Sequence, residues 1–216
     1  MRSENFYKAQ FGEWFEQLKP IVYSERFDNM LTEAYSLSNG RVLPEKRALF
    51  APFRVCSPNH LKLVIIGEKP RDIKGYNGLA LADNPELMRD TFLSKAIWDK
   101  IEDDFWGGLL MSQDITMINI ARQGVLMINS SMTTSMSNPE DHEMFWEPFI
   151  AALIRNIIKH KRVPFLLFGE ETFKYSDILK AFKIEYDKAK NPRLSTDWEF
   201  SFKRIHELTN KSIQWI

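Results

Sequence analysis

The chain has 216 residues, of which 44% are hydrophobic and 27% are charged, which is enough for one domain with its own core and too few for two. Its 29 lysines and arginines balance its 29 aspartates and glutamates. This zero net charge excludes a uniformly basic protein that coats nucleic acid, so any contact with DNA requires a local basic patch.

The single cysteine, Cys56, cannot form an internal disulfide, which favours a reducing compartment and argues against a cysteine-based zinc site. The N terminus is polar from its second residue, and no apolar run approaches the roughly 20 residues of a membrane span. We expect a protein that is not secreted and makes no membrane contact. It would work in the cytoplasm of a prokaryotic or virus-infected cell, or in a eukaryotic nucleus. We expect no metal and no organic cofactor.

Residues 1–43 predict a helical N-terminal portion. Apolar side chains recur there every three or four positions, which is the period of a helix, and Pro20 predicts a break in it. An irregular segment rich in proline follows, and it leads into the first predicted strand.

Three short apolar runs, rich in β-branched and aromatic residues and adjoining a glycine, predict buried parallel strands. They are residues 61–67, 124–129 and 163–169. A fourth strand is predicted at residues 181–186.

Helical spacing of apolar residues between the second and third strands, and again at residues 202–208, predicts helices. The alternation of strand and helix predicts an α/β fold. We expect a single three-layer α/β/α domain over residues 1–216, in which residues 61–216 form a mostly parallel four-stranded sheet and its loops.

Ligands of open parallel sheets bind beyond the carboxyl ends of the strands. Six motifs lie in and around the loops at those ends. They are V-I-I-G-E-K-P-R-D at 64–72 with G-L-A at 78–80, A-R-Q-G-V-L-M-I-N at 121–129, His142 followed by W-E-P-F at 146–149, F-L-L-F-G at 165–169, N-P-R-L-S at 191–195 and I-Q-W at 213–215. In this order they resemble the motifs of the uracil-DNA glycosylase superfamily, most closely its family 1. The resemblance runs from about residue 20 to the end of the chain and implies that family's fold.

The resemblance also implies a catalytic set: an aspartate below the sugar, a histidine at the base carbonyl, a phenylalanine that stacks on the base and a tyrosine that blocks the C5 side of the pyrimidine. This chain departs from that set at each position, with Lys69, Asn191, Leu81 and Arg71 respectively. Asn129, which would read the edge of an extruded base, and Leu194, which would fill the vacated stack, are retained. Loss of one positioned acid or base costs about 10²- to 10⁴-fold, so uracil excision by the family's usual route is not expected.

One interpretation is a DNA glycosylase with a changed substrate, which flips and excises an altered, C5-modified pyrimidine. Arg71 would donate hydrogen bonds to the C5 substituent. Glu68, the first choice, or else Asp72, would supply the missing carboxylate. In a variant of this mechanism, Lys69 attacks the sugar and forms a Schiff base.

A second interpretation is a catalytically inactive protein of the same fold that binds DNA or a partner in replication or repair. A third is an enzyme that acts on free nucleotides. Residues 151–216 carry thirteen cations against eight anions, an excess of five, which predicts that duplex or single-stranded DNA binds along this basic half. We expect the protein to be a monomer.

The candidate residues form three groups. The catalytic candidates are Glu68, Asp72, Lys69 and Asn191, and the base-binding candidates are Asn129, Arg71 and Leu81. The DNA-binding candidates are Arg193, Leu194, Ser195, His142 and Ser130. Of these, Ser130 offers a hydroxyl to phosphate, whereas His142 either contacts a phosphate or supports the DNA-facing loop.

Overall fold

The N-terminal part of the computed structural model is helical, as the sequence predicts. It contains α1 (Glu4–Phe11), a 3₁₀ turn, α2 (Phe15–Val22) and α3 (Glu25–Glu33). Ser3 and Ser24 cap α1 and α3, because each hydroxyl accepts a hydrogen bond from a backbone N–H of the first turn. The residues described are 1–37, 40–71, 76–81, 92–106, 117–135, 137, 139–192 and 200–215.

The predicted helix break at Pro20 is wrong. Pro20 lies within the last turn of α2, which ends at Val22. The chain changes direction instead at Gly12, whose φ of 55° is left-handed, and at Tyr23, after which Ser24 starts the next helix.

The central sheet has four parallel strands in the order β3-β2-β5-β6. The strands are β2 (Leu63–Gly67), β3 (Val125–Asn129), β5 (Phe165–Phe168) and β6 (Tyr186–Ala189). A small antiparallel pair, β1 (Val42–Leu43) and β4 (Thr134–Ser135), joins the segment before the sheet to the loop after β3.

Helices cover both faces of the sheet. Successive strand residues point to opposite sides, and both sets are apolar in β2, β3 and β5, so each face needs a layer of helices. On one face Val64 and Ile66 pack with the N-terminal helices, α4 (Ala51–Val55), α7 (Pro139–His160) and α8 (Ser176–Ala181). On the other face Leu63 and Ile65 pack with α5 (Phe92–Trp106), α6 (Met117–Arg122) and α9 (Phe202–Leu208). The three-layer α/β/α architecture is therefore confirmed.

The predicted bounds of the fourth strand are corrected, and the helix between the second and third sheet strands gains defined bounds. The fourth strand is Tyr186–Ala189, not residues 181–186, which instead end α8 and turn through Lys183 at a φ of 53°. Helix α7 begins at Pro139, before Trp146, and Pro148 lies inside it.

Among the described residues, none of the helices has both the length and the apolarity that a membrane span requires. The same residues include no group of three or more His, Cys, Asp and Glu side chains arranged to hold a metal ion. Cys56 is a buried free thiol, and burial raises its pKa to about 12.

Candidate active site

A cavity of about 220 Å³ opens at the carboxyl edge of the sheet, beyond β2, β3 and β5. Six of the predicted site residues line it: Glu68, Lys69, Arg71, Leu81, Asn129 and Asn191. Four others, Asp72, Arg193, Leu194 and Ser195, lie outside the described residues. A larger groove of about 530 Å³ between α2, α3 and α7 is lined mainly by apolar side chains. Volume alone therefore does not identify the chemical site.

Asn129 is the last residue of β3 and lies opposite Gly67 in the register of β2 and β3. A Cβ at Gly67 would lie 2.9 Å from Asn129 Oδ1 and 3.0 Å from the Ala80 Cβ, so the bare glycine makes room for the amide. Asn129 Nδ2 donates a hydrogen bond to Tyr76 Oη at 2.7 Å. These contacts fix the orientation of a buried amide at the cavity wall.

Glu68 directly follows β2, and its Oε2 accepts a hydrogen bond from Asn191 Nδ2 at 2.7 Å. Its carboxyl group packs against Gly169, where a Cβ would lie 2.2 Å from Glu68 Cδ. Gly169 also has a φ of 97°, which is available to glycine at low cost. Glu68 Oε1 is buried and has no hydrogen-bond partner among the described residues.

The surroundings of Glu68 raise its pKa. Burial is the main cause, because it disfavours the charged form, and the hydrogen bond from Asn191 opposes it. The carboxylates of Glu171 and Glu170 raise the pKa further, whereas Lys69 lowers it. A carboxyl group whose pKa moves toward neutral pH is suited to exchange a proton during a reaction.

Lys69 lines the cavity and forms an ion pair with Glu171. Its Nζ lies 3.2 Å from Glu171 Oε1, and its side chain is 40% exposed. Glu171 belongs to the 3₁₀ segment after β5, and the neighbouring Glu170 accepts a hydrogen bond from the backbone N–H of Asn191 at 3.2 Å. The positive charge at position 69 is therefore matched by a carboxylate.

Backbone hydrogen bonds join the Glu68 loop to the loop after β3. Ser130 N donates to Gly67 O at 2.7 Å, and Ser131 N donates to Glu68 O at 2.9 Å. The Ser130 hydroxyl also donates to Glu68 O at 2.9 Å, and this side chain is fully buried. This corrects the expectation that Ser130 offers its hydroxyl to a DNA phosphate, because the group is already engaged inside the protein.

His142 supports the same loop from behind. Its Nδ1 lies 2.8 Å from Thr133 Oγ1, which also accepts a hydrogen bond from Trp146 Nε1 at 2.6 Å. The ring of His142 has no exposed surface. Of its two predicted roles, contact with phosphate is therefore excluded by burial, and support of the loop agrees with the geometry.

The aromatic surface of the cavity comes from residues that the sequence analysis did not select. Leu81, at the position of the expected stacking ring, contributes an aliphatic wall and has a left-handed φ of 64°. Phe168, the last residue of β5, and Tyr76 supply the aromatic rings.

The sequence profile described as Uracil DNA glycosylase superfamily matches residues 53–209, which is more than half of the chain and includes the cavity. The chain belongs to the uracil-DNA glycosylase superfamily.

Three relatives illustrate the similarity. The uracil-DNA glycosylase of Mesomycoplasma hyopneumoniae (strain 7448) is 30% identical over 171 residues, which are 76% of this chain and 74% of that protein. The uracil-DNA glycosylase of Amoebophilus asiaticus (strain 5a2) is 28% identical over 182 residues, 83% of this chain and 76% of that protein. The uracil-DNA glycosylase of Psittacid herpesvirus 1 is 27% identical over 208 residues. That match covers 93% of this chain, yet the chain spans only 56% of the herpesvirus protein.

Solved structures show the same fold. The crystal structure of mimivirus uracil-DNA glycosylase superposes with a TM-score of 0.67 at 22% identity, over 86% of this chain and 71% of that one. The UNG crystal structure from Nitratifractor salsuginis superposes with a TM-score of 0.66 at 20% identity, over 98% of this chain and 95% of that one. The fold expected from the superfamily motifs is confirmed.

Within this superfamily fold, sequence reasoning missed Tyr76 and Glu171. Tyr76 is an isolated aromatic residue in a polar stretch, between a glycine and an asparagine. This position in the sequence is the one feature that could have marked it as a candidate site residue. Glu171 gave no signal, because its role depends on the ion pair with Lys69, a residue 102 positions away in the chain.

Among the described residues, the cations of the C-terminal half do not form one face. Lys159 lies in the last turn of α7 and Arg162 follows that helix before β5, so both lie at the amino edge of the sheet. Arg162 donates there to the carbonyl oxygens of Phe182 and Lys183. Lys190, in contrast, follows β6 at the carboxyl edge. This corrects the expectation of a single basic half for DNA, because the fold divides these charges between opposite edges.

Proposed function

We propose that this protein is a DNA glycosylase that extrudes an altered, C5-modified pyrimidine from DNA and hydrolyses its N-glycosidic bond. The observation that carries the proposal is the setting of Glu68. This carboxyl group is largely buried, is oriented by Asn191 and lines the same cavity as Asn129. Extrusion of a base costs a few kcal/mol, which contacts inside such a cavity have to recover.

In the proposed reaction, Glu68 activates a water molecule and stabilises the positive charge that develops on the sugar. The water oxygen bonds to the sugar C1′ while the bond from C1′ to the base nitrogen breaks, and the bonding electron pair leaves with the base. The proton lost by water passes to the Glu68 carboxylate and is then returned through solvent to the departing base, so that Glu68 is ionised again after each turnover. Asn191 keeps Oε2 of Glu68 fixed, whereas Oε1 is buried against Gly169 and has no hydrogen-bond partner among the described residues.

Arg71 supports the preference for a modified base. It lines the cavity at the position where the resemblance implies a tyrosine that blocks the C5 side of the pyrimidine. A guanidinium group offers five N–H donors, which suit a hydroxymethyl or sugar substituent. The proposed substrate class is therefore pyrimidines that carry a polar group at C5.

The geometry favours Glu68 over Lys69 as the reacting group. A Schiff base requires a neutral amine, whereas Lys69 is partly exposed and paired with Glu171. In this proposal Lys69 and Glu171 border the cavity without bonding to the sugar.

A base-release assay tests the proposal. Single-stranded and duplex oligonucleotides that carry uracil, 5-hydroxymethyluracil or a glucosylated pyrimidine are incubated with protein, and abasic sites are counted. We expect release of the C5-modified bases and a loss of about 10²- to 10⁴-fold in rate for Glu68→Gln. Glu185→Gln is the matched control, because Glu185 is exposed and precedes β6 at the opposite edge of the sheet.

The alternative function is binding without excision. It is favoured by one observation, the cation Lys69 at the position where the resemblance implies a catalytic aspartate. No release from any substrate, together with salt-sensitive DNA binding, would establish this alternative and reject the enzyme. A borohydride-trapped adduct that is lost in Lys69→Ala would instead establish the Schiff-base route.

A further inference from the structure

We propose that Tyr76 is the gate of this cavity: its phenol occupies the position on the Asn129 amide that the edge of an incoming base must take. This inference rests on the proposed function, because it concerns how the same cavity selects a base. The contact that carries it is the 2.7 Å hydrogen bond from Asn129 Nδ2 to Tyr76 Oη.

The orientation of the Asn129 amide makes this contact a competition. Asn129 Oδ1 packs over Gly67, so the NH₂ group is the part of the amide that is turned toward Tyr76. The side chain of Asn129 is only 5% exposed, and a buried donor without a partner is costly. Tyr76 accepts a hydrogen bond from this NH₂ group, and an extruded base that takes the same N–H has to replace that bond.

The gate opens by side-chain rotation, because the backbone after Tyr76 is held firmly. Gly78 packs so closely on Ala48 that a Cβ would lie 2.0 Å from its carbonyl oxygen. Ala80 N donates to Met127 O at 3.1 Å, which ties the segment to β3. Tyr76 itself is only half-buried.

Entry of a base into the cavity costs the hydrogen bond between Asn129 and Tyr76, so the base has to compensate for that loss. A base with a carbonyl acceptor at the edge that meets Asn129 replaces the lost hydrogen bond, whereas a base with an amino group there leaves a buried donor unsatisfied. Tyr76 therefore admits 4-carbonyl pyrimidines and rejects 4-amino pyrimidines that carry the same C5 substituent.

Binding measurements in the Glu68→Gln background, which stops turnover, test the gate. Fluorescent duplexes carry one 5-hydroxymethyluracil, one 5-hydroxymethylcytosine or no modified base. We expect Tyr76→Phe to bind the 5-hydroxymethyluracil duplex about 2- to 10-fold more tightly, which is the worth of one hydrogen bond, and to bind the unmodified duplex unchanged. We also expect 5-hydroxymethylcytosine to raise the affinity of the Tyr76→Phe protein but not that of the protein with Tyr76.

Tyr186→Phe is the control, because Tyr186 begins β6 at the amino edge and a phenol is again exchanged for a benzene ring. Unchanged or weaker binding of 5-hydroxymethyluracil by Tyr76→Phe would overturn the gate. So would a failure of both proteins to distinguish modified from unmodified duplexes.

A second measurement does not depend on how the variant folds. Free uracil added to the unsubstituted protein should shift the side-chain amide signal of Asn129 in a ¹H–¹⁵N spectrum, together with the ring signals of Tyr76. An Asn129 signal that moves while Tyr76 stays in place would contradict the gate. These readouts require no base release, so the gate and the proposed excision can fail independently.

Discussion

Glu68 combines two demands that conflict at the level of a single residue. Its carboxyl group has to be ionised to accept a proton from water, yet burial and the carboxylates of Glu171 and Glu170 favour its protonated form. Base release is therefore expected to increase with pH across the raised pKa of Glu68.

The same raised pKa predicts a stability effect with a definite sign. The folded protein keeps the proton of Glu68 at pH values where the unfolded chain has lost it. The contribution of this group is therefore fully present below the unfolded pKa and is lost as the pH rises through the folded pKa. Glu68→Gln should melt at a higher temperature than the unsubstituted protein at about pH 8, and the difference should vanish near about pH 4.

Thermal melts across this range check the prediction, with Glu185→Gln as the control that should show no such pH-dependent difference. If Glu68→Gln still raised the melting temperature near about pH 4, the raised pKa of Glu68 would not be the cause of that increase.

At the scale of the elements, the end of β5 is shaped for the carboxyl group of the neighbouring loop. Gly169→Ala would meet both a left-handed φ of 97° and a contact of 2.2 Å with Glu68 Cδ. The strained backbone alone costs on the order of 1–3 kcal/mol, and the contact would also displace Glu68. We expect lower stability in urea denaturation together with loss of base release.

Gly12→Ala separates these two effects. Gly12, at the end of α1, also has a left-handed φ, of 55°, but a Cβ added there would lie 4.0 Å from the Phe53 carbonyl oxygen, which is an ordinary contact distance. The Gly12→Ala protein should be less stable in urea denaturation but should still release bases. Full activity in Gly169→Ala would show that the position of Glu68 is not critical.

Over the whole molecule, the proposed function places DNA at the carboxyl edge of the sheet, where the cavity opens. Lys190 follows β6 at this edge, whereas Lys183 precedes β6 at the opposite one, and both side chains are exposed. Lys190→Glu should weaken DNA binding and reduce the slope of log affinity against log salt by about one. Lys183→Glu should leave both quantities unchanged.

Fluorescence anisotropy over about 50–200 mM salt measures these slopes. Equal effects of the two substitutions would mean that DNA crosses both edges, and the division of charge described above would then lose its functional meaning.

The sequence was most informative where burial is complete. Strands β2, β3 and β5 are buried along their whole length, so each appears as an apolar run, and the closing helix matches its predicted bounds of residues 202–208. β6 is only partly buried along most of its length and carries Asp187 and Lys188, so it lacks the apolar pattern and was predicted too early.

The site was predictable where it follows directly from a strand end, as for Glu68 and Asn129. It was not predictable where contacts between distant segments decide it. The ion pair of Lys69 with Glu171 joins two loops, and the buried His142 is defined by its bond to Thr133. No local pattern carries such information.

The three hydrogen bonds that join Ser130 and Ser131 to Gly67 and Glu68 divide the first site loop into a fixed base and an interchangeable tip. The base is fixed by backbone atoms and by a serine hydroxyl, so it is indifferent to the side chains that follow it. We therefore expect the side chains at positions 69 and 71 to be exchangeable without loss of the fold, so that evolution or engineering can change the choice of base at these two positions.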